Sequence, residues 1–413
     1  MMAASMQRFR SAILCACFLG AAYPAYGQNR DSEAADTIAV RQKETVPLQV
    51  QTPYPTLIHL AVEWLIEGDD NLNGQVTVRF RKVGDAAWRE GLPLRRVPAD
   101  RYELRNRGRR GQPQPDPPPP PIRVFEWANK HSGSLFDLMP NTEYEIALTL
   151  HDPDGGDAKK MVRAWTRPVP RAMANAPVRP VSPSTIASVQ THPGDILLLA
   201  PGDYGAFEAT VNGGPGRPVV YRSEDGKAVF TSFSLKNRRH VFVEGITVEN
   251  PERRGTGIQL QGAEECAVRY CTVRASCGIR ASRRPGARNC YVADNVVEGP
   301  SVWISEAMGA RGDNLGEGIQ LTGPGNVICY NYLHGFRDCI STMESQNVED
   351  QICVDIYHND IYLGADDGIE ADYCYNNCRI IRNRLTNCFV GVSSQPGLGG
   401  PVYFIRNAMY NLT

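Results

Sequence analysis

Three acidic residues stand at equivalent places in a recurring line. Glu317, Asp338 and Asp367 each precede Gly318-Ile319-Gln320, Cys339-Ile340-Ser341 and Gly368-Ile369-Glu370. If those lines are neighbouring strands, the carboxylates stack about 4.8 Å apart. Like charges at that separation repel, so one must bind a cation, pair with Arg or hold its proton. Arg337 adjoins Asp338, and Arg280 closes the earlier line Gly278-Ile279-Arg280. Asp366, Glu370 and Asp372 enlarge the acidic set. Hard oxygen ligands suit Ca²⁺, with Glu317, Asp338, Asp367 and Asp372 as the ligand candidates. Carboxylate pairs about 5 Å apart would instead suit retaining acid–base hydrolysis, and wider pairs inverting hydrolysis. If Ile369 points inward, alternation turns Glu370 and Asp372 outward, onto the face shared by Gln320, Ser341 and Ser393. The competing structural account is plain turn chemistry, since Asp before Gly at a corner accepts backbone N–H bonds.

What must position these residues is a repeat. Asn295, Asn331, Asn359, Asn383 and Asn407 recur at intervals of 36, 28, 24 and 24 residues, with Cys271 and Ile246 continuing the frame upstream. β-Branched residues alternate with polar ones, Gly and Asn mark corners, and no 3.6-residue periodicity is present. The pattern predicts a right-handed parallel β-helix, one repeat per coil, with the Asn column forming an amide ladder. The interval of 36 marks an insertion at residues 299–317, and insertions in such arrays map to loops on one face. His334 and His358 fall at or near corners. Arg311-Gly312-Asp313 on the insertion reads as a chance match to an adhesion tripeptide.

The rest of the chain sets the context. Arg8 and Arg10 precede an apolar run, and Ala25-Tyr26-Gly27 offers a cleavage site, so residues 1–27 read as a signal peptide. Export to the periplasm, cell surface or medium follows. No run reaches the length of a membrane span. The net charge of −1 excludes a global field for nucleic acid. Residues 36–167 alternate as strands of a β-sandwich. Within them, residues 107–121 form a Pro-rich insertion, and Leu138-Met139-Pro140-Asn141-Thr142-Glu143-Tyr144 resembles the late segment of fibronectin type III domains. Residues 168–183 read as a stiff Pro-rich linker, and residues 184–190 as a short capping helix opening a β-helix over residues 184–413. The ladder runs to the last repeat without a polar cap, so the frame is expected to be truncated at its C-terminus. Ten cysteines lie in the β-helix. Cys266 and Cys290 share a column, leaving a disulfide and a stack of buried thiols as open alternatives.

The first coil carries a resemblance. Pro193-Gly194-Asp195-Ile196-Leu197-Leu198-Leu199-Ala200-Pro201-Gly202-Asp203-Tyr204, followed by Gly213-Gly214-Pro215-Gly216-Arg217-Pro218-Val219-Val220-Tyr221, resembles the entry turn of exported polysaccharide lyases of the alginate lyase and chondroitinase B type, within the pectate-lyase-like superfamily. With the repeats and the sandwich pattern, the whole chain reads as an all-β fold, a fibronectin III-like sandwich followed by the right-handed parallel β-helix to which the entry turn belongs. The resemblance implies a uronate-containing polysaccharide as partner, a Ca²⁺-assisted β-elimination, and an Arg as Brønsted base, from Arg280, Arg337 or Arg382. Asp338 and Asp367 join Arg337 and Arg280 as the catalytic candidates. Gln320, Ser341, Glu370 and the insertion's Trp303, whose ring can stack on a sugar face, are the substrate-binding candidates. Glycoside hydrolysis, epimerisation by the same cation chemistry, and a non-catalytic glycan-binding surface protein are the alternatives. A monomer is expected.

Overall fold

The computed structural model describes residues 42–104, 120–342 and 351–413. The segment read as a signal peptide, and nearly all of the stretch read as a Pro-rich insertion, lie outside these residues. Two antiparallel four-stranded sheets come first. In Leu60–Gly68, Gln75–Lys82 and Glu143–His151 every second side chain points between the sheets. Leu60, Val62, Trp64, Val76, Val78, Phe80, Ile146 and Leu148 fill the space there. The Tyr144 hydroxyl accepts the backbone N–H of Met139 at 2.8 Å, a corner lock common in β-sandwiches.

A parallel β-helix follows. Ten strands from Val178–Val181 to Val402–Ile405 stack in one sheet, all in parallel register. After each corner the chain contributes to two further columns, joined in a single large sheet. The stretch read as linker is therefore partly solenoid. Val178–Val181 pairs with Ile196–Leu199; Pro180 is tolerated because this is the edge strand of its sheet. The predicted capping helix is absent, and residues 183–188 form turns held by Ser182 and Thr185.

The Asn ladder is present as expected. Nδ2 of Asn295, Asn331, Asn359 and Asn383 donates to Oδ1 of the next member at 2.9–3.0 Å. Each Oδ1 also takes a backbone N–H from the coil before, beginning with Cys271. The residue ahead of each ladder position adopts a left-handed backbone: Tyr270, Asp294, Tyr330, His358, Arg382 and Arg406, at φ 54–58°. Non-glycine residues seldom do so, and the amide ladder is what holds the corner closed.

All ten cysteines among the described residues are free and buried. Cys266 and Cys290 do sit on neighbouring coils. Their thiols donate instead to backbone carbonyls, of Arg238 and Glu264 and of Ala263 and Arg288. Burial pushes the Cys271 and Cys290 thiols up to about 12.

The sandwich docks on the outer face of the ten-stranded sheet. Phe242, Ala267, Tyr291 and Val327 stack in one outward column and are covered by Leu57, Phe136 and the Pro-rich stretch through Val169 and Ala172. The same column continues into Asp355 and Arg379. His59 Nδ1 lies 2.8 Å from Asp355, and Arg379 Nε 2.6 Å, with all three side chains shut from solvent. Against the opposing effect of burial, the Arg379 guanidinium, with the His59 hydrogen bond beside it, draws Asp355 down to about 2. Arg167 clamps the carbonyls of Asn289 and Gly325, and Arg382 pairs bidentately with Asp137. The two parts share one buried interface.

Candidate active site

Register places the acidic residues as their spacing suggested. Glu317–Leu321 pairs with Asp338–Ser341, setting Glu317 against Asp338 and Gln320 against Ser341. The long strand Asp360–Glu370 then sets Ser341 against Glu370. Against the following coil its register shifts between Gly364 and Asp367. That extra residue is a bulge, a device that re-aims side chains, and here it lies beside Asp366 and Asp367.

The consequence is two overlapping carboxylate groups. Oxygens of Glu317, Asp338 and Glu370 lie within 4.8 Å of one another, as do those of Asp338, Asp366 and Asp367. Asp338 is common to both and only 1 % exposed. Its Oδ1 accepts the Asp367 backbone N–H at 2.9 Å. The Ser341 hydroxyl donates to Glu370 at 2.9 Å. Arg337 Nε lies 3.5 Å from Asp338 and its Nη2 3.4 Å from Asp366.

The electrostatics follow from that crowding. Burial, then Asp338, pushes Glu317 well above the usual carboxylate range. Burial also raises Asp338, although the Asp367 N–H opposes the shift. Asp367 is raised to about 7 and Glu370 to about 8, each first by burial and then by Asp338. Burial works against the charge of Arg337, but Asp338, Glu317, Asp366 and Glu370 outweigh it and hold the guanidinium more firmly protonated. Among the described residues, Oε2 of Glu317 and Oδ1 of Asp367 are buried without a hydrogen-bond partner. Native proteins rarely leave such atoms unsatisfied.

The insertion walls this site. Gly309 N–H donates to the Ala365 carbonyl, and Arg337 N–H to the carbonyls of Leu315 and Gly316. Gly316 is needed at the return of the loop: its φ is +77°, and a Cβ there would meet the Ser276 carbonyl at 1.5 Å. Trp303 is half-buried on the insertion, between exposed Val302 and Ile304.

The other candidate residues lie around this centre. Glu370, expected on the substrate-facing side, closes the carboxylate triad with Glu317 and Asp338. Gln320 and Ser341 share its column but are buried. Arg280 lies in the same column one coil beyond Gln320. Its Nε bonds the Gln320 amide oxygen and Ser282 at 3.1 Å, with no ion pair to the acidic groups among the described residues. Asp372 stands aside, its Oδ1 bound to the Gln395 N–H; burial raises it too. The sequence signal for Glu370 was its register with Ser341. What it lacked was any sign of the bulge.

No family model matches the chain, and no curated protein matches it. Among solved structures, an alginate lyase from Paenibacillus sp. str. FPU-7 is similar at 14% identity and TM-score 0.36, over 56% of this chain and 99% of that one. The pectate lyase Pel9A follows at 13% identity and TM-score 0.35, over 58% and 80%. The catalytic domain of a GH87 α-1,3-glucanase bound to nigerose shares 12% identity at TM-score 0.19, over 86% and 89%. The coil itself is established by the strand pairing above: this is a parallel β-helix carrying a buried carboxylate centre.

Proposed function

We propose that this chain cleaves a uronate-bearing polysaccharide by β-elimination at the carboxylate centre. The observation that carries the reading is the pair of overlapping carboxylate groups, with unpartnered Glu317 Oε2 and Asp367 Oδ1 and one guanidinium beside them. Such a donor set of hard oxygens fits Ca²⁺. Glu317, Asp338 and Glu370 are the residues that would hold it, where its charge would offset their repulsion and that of the substrate carboxylate, acidifying the proton at C5.

The chain's own groups then divide the work. Arg337 is fixed through its backbone N–H and held cationic by four carboxylates, so it serves as a positive charge for the developing enolate rather than as the base. Burial, the largest cause of its raised proton affinity, suits Asp367 to the role of general base. This carboxylate takes the C5 proton; the C4–O4 bond breaks, C4=C5 forms, and the proton returns from Asp367 to the leaving oxygen. Ser341 orients Glu370, and the Asp367 N–H orients Asp338.

One observation favours a second reading, hydrolysis. Glu370, raised to about 8, keeps its proton at neutral pH beside the oxygens of Glu317 and Asp338, and retaining hydrolysis needs such an acid next to a second carboxyl group. Incubation with uronate and neutral polysaccharides, with calcium or chelator, separates the readings. Elimination yields a new ultraviolet-absorbing double bond together with reducing ends; reducing ends alone on any polymer would give hydrolysis instead. Neither signal, with retention on a glycan column, would leave a binding protein.

A further inference from the structure

The second strand column presents a different surface. Val248, Val273, Val297, Leu333, Ile361 and Leu385 point into the core, so the residue after each points out. Register stacks these outward residues on successive coils: Glu249, Arg274, Glu298, His334, Tyr362, Thr386 and Tyr410. The charged half is internally paired. Arg274 bridges Glu249 at 3.0 Å and Glu298 at 2.6 Å, and His334 lies 3.5 Å from Glu298. The other half is aromatic and open, with Tyr362 43 % and Tyr410 60 % exposed, and Tyr332 beside them 38 % exposed.

Above the charged half lies a cleft of about 880 Å³. Its floor is Glu249, Arg274, Glu298 and His334, and its walls include Asn250, Ser276 and the first insertion residues Gly299 and Pro300. The same insertion, further along, contacts Ala365 beside the carboxylate centre. Cleft and centre therefore flank one loop from different columns of the coil.

We propose that this cleft and its tyrosine extension bind a neutral oligosaccharide, separately from the carboxylate centre. Pairing of unlike charges along a sheet is stabilising in itself, which accounts for the Glu249–Arg274–Glu298 stack. It does not account for an open cleft above the stack, or for exposed tyrosines continuing the same column beyond it. Paired charges offer fixed donors and acceptors to hydroxyl groups, while tyrosine faces offer stacking surface with a polar tip. An anionic sugar is disfavoured. Asp203, Glu249 and Glu298 line the cleft against Arg274 and His334 alone, so carboxylates exceed cations even with His334 protonated. The site thus takes uncharged hexose or N-acetylhexosamine units.

The test is calorimetric titration of the full chain with hexaoses of glucose, mannose and N-acetylglucosamine, and with a hexauronate. At least one neutral hexaose is expected to saturate. Tyr362→Ala and Glu298→Gln should each weaken it fivefold or more, Tyr362→Phe should retain it, and Asp338→Ala should leave it unchanged. Hexauronate binding should show the reverse pattern, lost in Asp338→Ala and intact in Tyr362→Ala. Melting curves confirm that each variant is folded. The proposal is overturned if no neutral hexaose binds, if binding ignores both Tyr362→Ala and Glu298→Gln, or if hexauronate displaces the neutral sugar from the cleft. Because the readouts respond to different variants, failure here is distinguishable from failure of the elimination reading.

Discussion

The backbone N–H of Asp367 donates to Oδ1 of Asp338 at 2.9 Å, tying two mutually repelling carboxylates across adjacent coils. Geometry and charge can be separated there. Asp338→Asn keeps an acceptor for that N–H but removes the charge. It is expected to lower activity on a uronate polymer at least a hundredfold while leaving the melting temperature unchanged or raised, as relief of site strain often does. Asp338→Ala also loses the buried hydrogen bond and should cost about 1–3 kcal/mol in urea unfolding.

Proton affinity in the site sets a pH dependence. Asp367 and Glu370 are raised to about 7 and about 8 in the fold, against about 3.9 and 4.3 in the unfolded chain. The folded state binds more protons, so this contribution is fully present below about pH 4 and disappears as pH rises through 7 to 8. Melting temperature with chelator should therefore fall across that window. Calcium should restore it at pH 8 more than at pH 5; equal shifts at both would contradict cation binding by these carboxylates.

Asp355 acts in the opposite sense. Held at about 2, it contributes stability that is present above about pH 4 and lost as pH falls towards 2. Arg379→Ala strands its charge in the interface and should cost about 3–5 kcal/mol by denaturant unfolding. An Asp355→Asn and Arg379→Met double variant, which removes both charges, should cost clearly less.

The ladder grades by position. Asn359 Oδ1 accepts the backbone N–H and Nδ2 of Asn331, and its own Nδ2 donates to Ile328 and Asn383. Asn359→Ala should destabilise by about 1–3 kcal/mol or more, since several buried groups lose partners at once. Asn407, half-buried at the last described coil, should cost less on the same substitution. Urea unfolding of the two variants makes the comparison.

Much of this was legible because a parallel coil turns sequence spacing into register. Asn295 to Asn407 and Glu317, Asp338 and Asp367 stack where their columns put them. The bulge before Asp367 was not legible: it lies where Ala365 takes the N–H of Gly309 from the insertion, a contact that no repeat spacing announces. Nor was the role of Arg280, whose position in the repeat matched the site while its hydrogen bonds turn it to Gln320. The docking of His59 on Asp355 joins residues far apart in the chain, and neither local pattern announces the other. Residues 184–190 read as a short helix, but the Ser182–Thr185 side-chain bonds close turns instead.

In the proposed elimination, Asp367 moves the proton at a calcium-assisted carboxylate centre. The measurement that reaches it most directly is the rate of double-bond absorbance on a uronate polymer with calcium, for the intact chain and for Asp367→Asn. A steady rise is expected for the former, abolished by chelator, and at least a thousandfold lower rate for Asp367→Asn with calcium affinity retained. Undiminished elimination by Asp367→Asn, or absorbance indifferent to chelator, would contradict this mechanism.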